Sequence, residues 1–374
     1  MSEIVIVTWD GGGNVPPALG LAAELRGRGH RVRFLAHPQQ ATRLESAGYG
    51  FTPFRTALSW SPLTPAGGIS GARRYGRMFT DRGMGSDLRE TLIKEPADLI
   101  VIDALLLGVL DAARSLTVPY AALVHTYQQY LVRTWNRGPI GLIARTRRLQ
   151  PLRLWHAADL VLVTADPTLD PATNGPMPQN VRHVGVIQPA PLAVSVENPD
   201  EPQVLVSLST NYFPGQQQTL QAVLDGLAVL PIHVIATTGA VPVHDLRTPD
   251  NAELHQTQPH AEVMPVVQAV VGHGGHATTM LALAHDLPLV IMPMHPMLDQ
   301  KMIGQSVADQ GAAVLLTRNA TPQQIRTAVL HVLESANARQ AAARLGAQLR
   351  EQGAAAAAAD HLLALLNPAS HYRA

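Results

Sequence analysis

The chain has no cysteine, which excludes disulfides, thiolate zinc sites and a cysteine nucleophile. It has no surplus of either charge: Lys plus Arg is 28 and Asp plus Glu is 28. A basic field for nucleic acid or for an anionic membrane surface is therefore absent. Aromatic residues are scarce at 4 %. No apolar run approaches the ~20 residues of a membrane span, and the N-terminus enters a strand pattern without a charged, apolar leader. These absences lead to the expectation of a cytoplasmic protein with no nucleic-acid partner and no membrane span. The 374 residues are long for one core and suggest two domains of roughly 150–200 residues.

What is present is a regular alternation. Short apolar runs such as "IVIV" (Ile4 to Val7), "VRFLA", "DLIVID", "YAALVH" and "LVLVT" alternate with helix-period segments in the first half. "QVLVSLS", "HVIAT", "AVVG" and "PLVIM" do the same in the second. This pattern predicts parallel sheets covered by helices, an α/β protein of two doubly wound, Rossmann-like domains. The stretch "VIQPAPLAVSVENPDEPQ" breaks both periods and reads as a linker. The expected boundaries are 1–188, a linker at 189–202, 203–352, and a closing helix at 353–374 packed across the surface.

In such sheets ligands sit beyond the carboxyl ends of the strands. One loop of that kind is "AVVGHGGHATTM", Ala269 to Met280. A buried strand ends at Gly272 and a helix begins near Ala277. Glycines at the turn permit close backbone approach, and the free N–H groups of a helix N-terminus suit a diphosphate. His273, Gly274, Gly275, Thr278 and Thr279 are its candidate ligands. A plainer reading is a tight strand–helix turn. A metal reading of His273, His276, His285 and His295 lacks an accompanying carboxylate pattern.

The fuller segment "GHGGHATTMLALAHDLPLVIMPMHPMLDQ" resembles the donor-binding signature of the family-1 nucleotide-sugar glycosyltransferases, in the bacterial branch that decorates natural products. "VSLST", "LRGRGHRVRFLAHP" and "EPADLIVIDALLLGVLDAARSLTVPYAAL" extend the resemblance over nearly the whole chain. It implies the GT-B fold, with two Rossmann-like domains facing a central cleft, and an inverting transferase that needs no metal. The implied co-substrate is a TDP- or UDP-sugar, with no other cofactor, and the acceptor is a small hydrophobic molecule. It implies His273, Gly275 and Thr278 at the diphosphate, with Thr210 reaching it. It also puts Asp299 and Gln300 on sugar hydroxyls; the plainer reading of Asp299 is a helix N-cap. Where the family stacks an aromatic ring on the base stand Thr257 and Gln258, so the base would rest on Gln258 or on backbone near Gly239. Assembly as a homodimer stays open.

The opening loop "TWDGGGNVPP" departs from the family. Asn14 stands where the family has a catalytic histidine, and an amide cannot accept the acceptor's proton. Asn14 also reads as an N-cap before Pro16 and Pro17. Asp103, which matches the aspartate that orients that histidine, is the first candidate base if it faces the acceptor. Asp10 and His125 are the others, with a turn-forming role the plainer reading of Asp10. An acceptor that needs no base, and a catalytically silent auxiliary partner, also fit Asn14. An epimerase or hydrolase on the same fold is the rival enzyme. Trp60, Tyr127 and Tyr130, with Trp135, are the expected walls of the acceptor pocket.

Overall fold

The structure is a computed structural model that describes residues 1–62, 64, 68–188 and 201–366. Residues 1–61, 68–188 and 353–366 form one compact unit; residues 201–352, with 62 and 64, form the other. The expected linker lies outside the described residues except for Glu201 and Pro202.

The first unit carries β1 (Glu3–Val7), β2 (Arg31–Ala36), β3 (Gly50–Pro53), β4 (Leu99–Asp103), β5 (Tyr120–Val124), β6 (Leu160–Val163) and β7 (Val181–His183). All pair in parallel, in the order β3-β2-β1-β4-β5-β6-β7. Its helices are α1 (Val15–Gly27), α2 (Ala41–Ser46), α3 (Gly68–Phe79), α4 (Arg82–Lys94), α5 (Leu107–Ala113), α6 (Pro139–Thr146) and α7 (Pro151–His156). The second unit carries β8 (Gln203–Ser207), β9 (His233–Thr237), β10 (Ala252–His255), β11 (Ala269–Gly272), β12 (Leu289–Ile291) and β13 (Ala313–Leu315). These are parallel too, in the order β10-β9-β8-β11-β12-β13. Around them lie α8 (Gln216–Leu227), α9 (His260–Val263), α10 (His276–Ala284), α11 (Gln300–Asp309), α12 (Pro322–Glu334) and α13 (Ala336–Glu351). The last helix, α14 (Ala354–Ala364), returns to the first unit.

Both sheets are doubly wound. The chain leaves β1 toward β2 on one side and arrives at β4 on the other, and β8, β9 and β11 repeat the arrangement. The loops after β1 and β4, and after β8 and β11, therefore lie beside the crevice that this order opens. Central strands are covered on both faces, which is why they read as unbroken apolar runs. β1, β4 and β5 bury nearly every residue. The alanine-rich stretch near the C-terminus packs on α1: Ala358, Ala359 and Leu362 are buried in the first unit's core with Leu21 and Leu25. It does more than cross a surface.

Among the described residues no helix is long and apolar enough to cross a membrane.

Glycine sets how closely α4 and α5 approach. A Cβ at Gly85 would meet the Gly108 carbonyl oxygen at 2.6 Å, and one at Gly108 would overlap the Asp81 carbonyl. Gly27, at the end of α1, has nothing within 4 Å of a Cβ. Gly108→Ala should therefore cost about 1–3 kcal/mol through overpacking. Gly27→Ala should be neutral or gain up to about 1 kcal/mol. Urea denaturation of the two variants checks the contrast.

Candidate active site

In the first unit the loop after β1 is organised by one carboxylate. Asp103, the last residue of β4, is 4 % exposed and Asn14 is 2 % exposed. Asn14 Nδ2 lies 3.1 Å from Asp103 Oδ2, 2.9 Å from the Trp9 carbonyl and 3.0 Å from Thr8 Oγ1, so two hydrogens serve three acceptors. Asn14 Oδ1 accepts the Gly11 N–H at 3.2 Å. The Trp9 indole N–H donates to Asp103 Oδ2 at 3.1 Å, and the Leu105 N–H to Oδ1 at 3.0 Å. His125, just past β5, holds Nδ1 3.2 Å from the same Oδ2.

Two expectations change. Asn14 does not cap α1 with its side chain; it reaches back and joins the loop to β4. Asp103 does not face an acceptor. It is buried and already accepts from Trp9, Asn14 and Leu105.

Asp10 is different. It is half-buried, and its backbone carbonyl accepts the Trp60 indole N–H at 2.6 Å. The turn does not use its carboxylate. The Gly11 and Gly13 amides go to the Trp9 and Gly11 carbonyls, at 3.1 Å each. Burial raises the carboxyl above its ordinary value, and Arg43 pulls the other way. Gly11 is required here because a Cβ would meet the Trp9 ring and lie 2.8 Å from Asn14 Oδ1, while Gly12 sits at φ +81°.

The expected acceptor walls are core. Tyr127 is 0 %, Trp60 3 % and Tyr130 6 % exposed, too buried to line an open pocket. Trp9 meets Trp60 and Phe79 edge-on at 5.6 and 5.0 Å, Phe79 meets Trp135 at 5.9 Å, and Trp135 meets Trp155 at 5.9 Å. All four tryptophans of the chain thus stand in one run of ring contacts.

In the second unit β11 ends at Gly272 and α10 starts at His276. Gly274 has φ +82°, and a Cβ on it would lie 2.6 Å from the Gln300 carbonyl. A Cβ on Gly275 would overlap His273 Nε2. The glycines thus let the imidazole fold over the turn. No side chain caps α10, and the first N–H groups of a helix have no carbonyl partner within the helix itself. Burial holds the His273 imidazole down at about 4, helped by His260 and opposed by the Ser207 backbone. At neutral pH it is uncharged and donates one N–H. Thr278 is half-exposed in the first turn, whereas Thr279 is buried.

Next to it, Ser209 takes φ +112° and Gly239 φ +59°. A Cβ on Gly239 would overlap the Ser209 carbonyl and lie 3.1 Å from the Thr210 Cα. Thr210 is exposed on this loop, which Gln216 braces by donating to the Ser209 carbonyl at 2.9 Å and accepting the Phe213 N–H at 3.1 Å. The Gly239 N–H is taken by the Gln256 carbonyl at 2.9 Å, and Gln258 is half-buried two residues on.

Gln300 corrects another expectation. It is buried, and its Oε1 accepts the Met294 and His295 N–H groups at 2.7 and 3.0 Å. It pins the loop rather than offering that oxygen to a sugar. Asp299 heads α11, half-exposed, without a side-chain cap bond. Among the described residues no three His, Asp or Glu side chains are placed to hold a metal ion.

Sequence reasoning missed Trp9, Arg43, Gln216 and His37. Trp9 sits inside the opening motif, where its adjacency to Asp10 was the available signal. His37 follows β2, packs edge-on against Phe54 at 5.2 Å, and is held by burial at about 4.

The model of the erythromycin biosynthesis protein CIII-like C-terminal domain matches residues 221–365. 4'-Demethylrebeccamycin synthase of Lentzea aerocolonigenes is 26 % identical, over 96 % of this chain and 98 % of its own. Demethyllactenocin mycarosyltransferase of Streptomyces fradiae is 25 % identical, over 99 % and 88 %. The solved glycosyltransferase VinC, in complex with DTDP, shares the fold with a TM-score of 0.74 at 19 % identity, over 97 % of this chain and 99 % of that one. Over nearly its whole length the chain is similar to glycosyltransferases of antibiotic biosynthesis, and it has the GT-B fold.

The two histidines that burial lowers furthest, His37 and His273, set a pH dependence. His37 and His273 are neutral in the folded chain down to about 4, whereas in the unfolded chain they protonate near ~6.5. Above that value they contribute nothing to the slope. Below it the unfolded state binds the extra protons, so stability falls as pH drops from ~6.5 toward 4 and their effect then levels off. Denaturant midpoints across this range, with NMR titration of the two rings, check the expectation.

Proposed function

We propose that this glycosyltransferase moves a hexose or deoxyhexose from a thymidine or uridine diphosphate sugar to a small hydrophobic natural product, in the cytoplasm. The observation that carries the donor assignment is the turn from β11 through Gly274 and Gly275 into the uncapped N-terminus of α10, with a neutral His273 folded over it. A helix N-terminus presents free N–H groups and partial positive charge to a diphosphate. The DTDP named with VinC is a ligand of this kind.

The acceptor oxygen attacks the anomeric carbon from the face opposite the diphosphate. The bond from that carbon to the phosphate oxygen breaks, and its electron pair leaves with the nucleoside diphosphate, so the configuration inverts. The N-terminus of α10, His273 and Thr278 stabilise the departing charge, which makes a metal unnecessary. The acceptor proton passes to Asp10, whose carboxyl is raised by burial toward a useful base. Asn14 and Asp103 hold the loop that carries Asp10.

Three outcomes are expected. Asp10→Asn should lower kcat by about 10²–10⁴-fold with donor affinity kept, the scale of general-base assistance. His273→Ala should weaken nucleoside diphosphate binding by about 1.5–3 kcal/mol, as for a hydrogen bond to a charged group, measured by calorimetry. Turnover should survive dialysis against EDTA. Full activity of Asp10→Asn would remove Asp10 as the base. Tight nucleotide binding with no turnover on any acceptor would favour the auxiliary-partner reading.

A further inference from the structure

A second site lies on the far side of α3. Gly76 lets α3 and α6 touch, since a Cβ there would meet Ile143 Cδ1 at 2.8 Å. The contact gathers Arg73 and Arg77, four residues apart on α3, and Arg147, just beyond α6, around a cleft of about 400 Å³ that Ile143 also lines. Helical spacing turns Arg73 and Arg77 away from Tyr75 and Phe79, which pack on Trp9. The cleft is therefore not part of the loop that carries Asp10.

The three guanidinium groups have no acidic partner among the described residues. The nearby acid Asp111 is shared by Arg82 at 3.7 Å and Arg114 at 3.6 Å. Arg74, the remaining arginine of α3, lies over the Trp60 ring at 4.4 Å. Three like charges around one cleft repel each other, and no described carboxylate pairs with them. Guanidinium forks match the oxygens of phosphate and carboxylate groups. A phosphate monoester carries about −1.5 to −2 near neutral pH, which balances three arginines better than one carboxylate does. The cleft also has the size of a small-molecule site, about 300–1,000 Å³, so the phosphate belongs to something larger than itself.

We propose that Arg73, Arg77 and Arg147 form a binding site for a phosphate monoester, independent of the donor diphosphate. Its bearer is either a soluble phosphorylated metabolite or a lipid headgroup; Leu142, exposed on α6 beside Ile143, offers apolar contact to either.

The test uses the full chain in two arms. One titrates glycerol 3-phosphate by calorimetry; the other measures co-sedimentation with phosphatidylcholine vesicles with and without phosphatidic acid. Arg73→Gln, Arg77→Gln and Arg147→Gln are compared with Arg247→Gln, an exposed arginine of the second unit paired with Asp225. Saturable binding that each cleft variant weakens about tenfold or more, and that Arg247→Gln leaves unchanged, supports the site. Binding in the soluble arm assigns a metabolite, and binding confined to phosphatidic acid vesicles assigns a headgroup. No binding in either arm, or binding that the cleft variants leave unchanged, overturns the proposal.

Discussion

The first unit depends on the contact between the Asp103 carboxylate and the two donors that reach it from the β1 loop, Trp9 Nε1 and Asn14 Nδ2. β1 and β4 are neighbours in the sheet, and the chain leaves them in opposite directions. Nothing in the strand ladder itself holds the loop after β1 against the end of β4. The buried carboxylate does so, by accepting from Trp9 and Asn14 together. The consequence is chemical. The strongest carboxylate anchor in this loop is occupied, and the one beside it, Asp10, keeps its carboxylate out of the turn.

The second unit solves a related problem without a charge. At the β11–α10 turn, backbone and imidazole must come close together, and Gly274 and Gly275 make room. His273 stays neutral because burial disfavours its cation. It can then donate one hydrogen bond at physiological pH without adding a buried positive charge. Ser209 and Gly239 press together on the neighbouring loop for the same reason: only a glycine fits against the Ser209 carbonyl.

The sequence was legible where one local rule decides. The inner strands are apolar runs, and the glycine turn into α10 stands between a strand and a helix of opposite periodicity. The strands that escaped notice, β3, β7, β10 and β13, are the four sheet edges. They are short and half-exposed, so they carry no continuous apolar signal. Side-chain roles set by distant partners were not legible. Asn14 meets Asp103 across 89 positions, and local pattern alone suggested a helix cap. Gln300 was read for its neighbour Asp299, but its oxygen serves the backbone of 294 and 295. Scarce aromatics suggested a pocket wall at Trp60, Tyr127 and Tyr130, whereas they are buried in the unit's interior.

The account turns on Asp10 as the group that receives the acceptor's proton, and the pH profile of kcat/KM reads this most directly. A base whose carboxyl is raised by burial gives an acid limb above the usual carboxylate value of about 3.9. That limb should persist unchanged in His125→Gln. An acid limb near ~6.5 that disappears in His125→Gln would contradict the account and move the base to the imidazole beside Asp103.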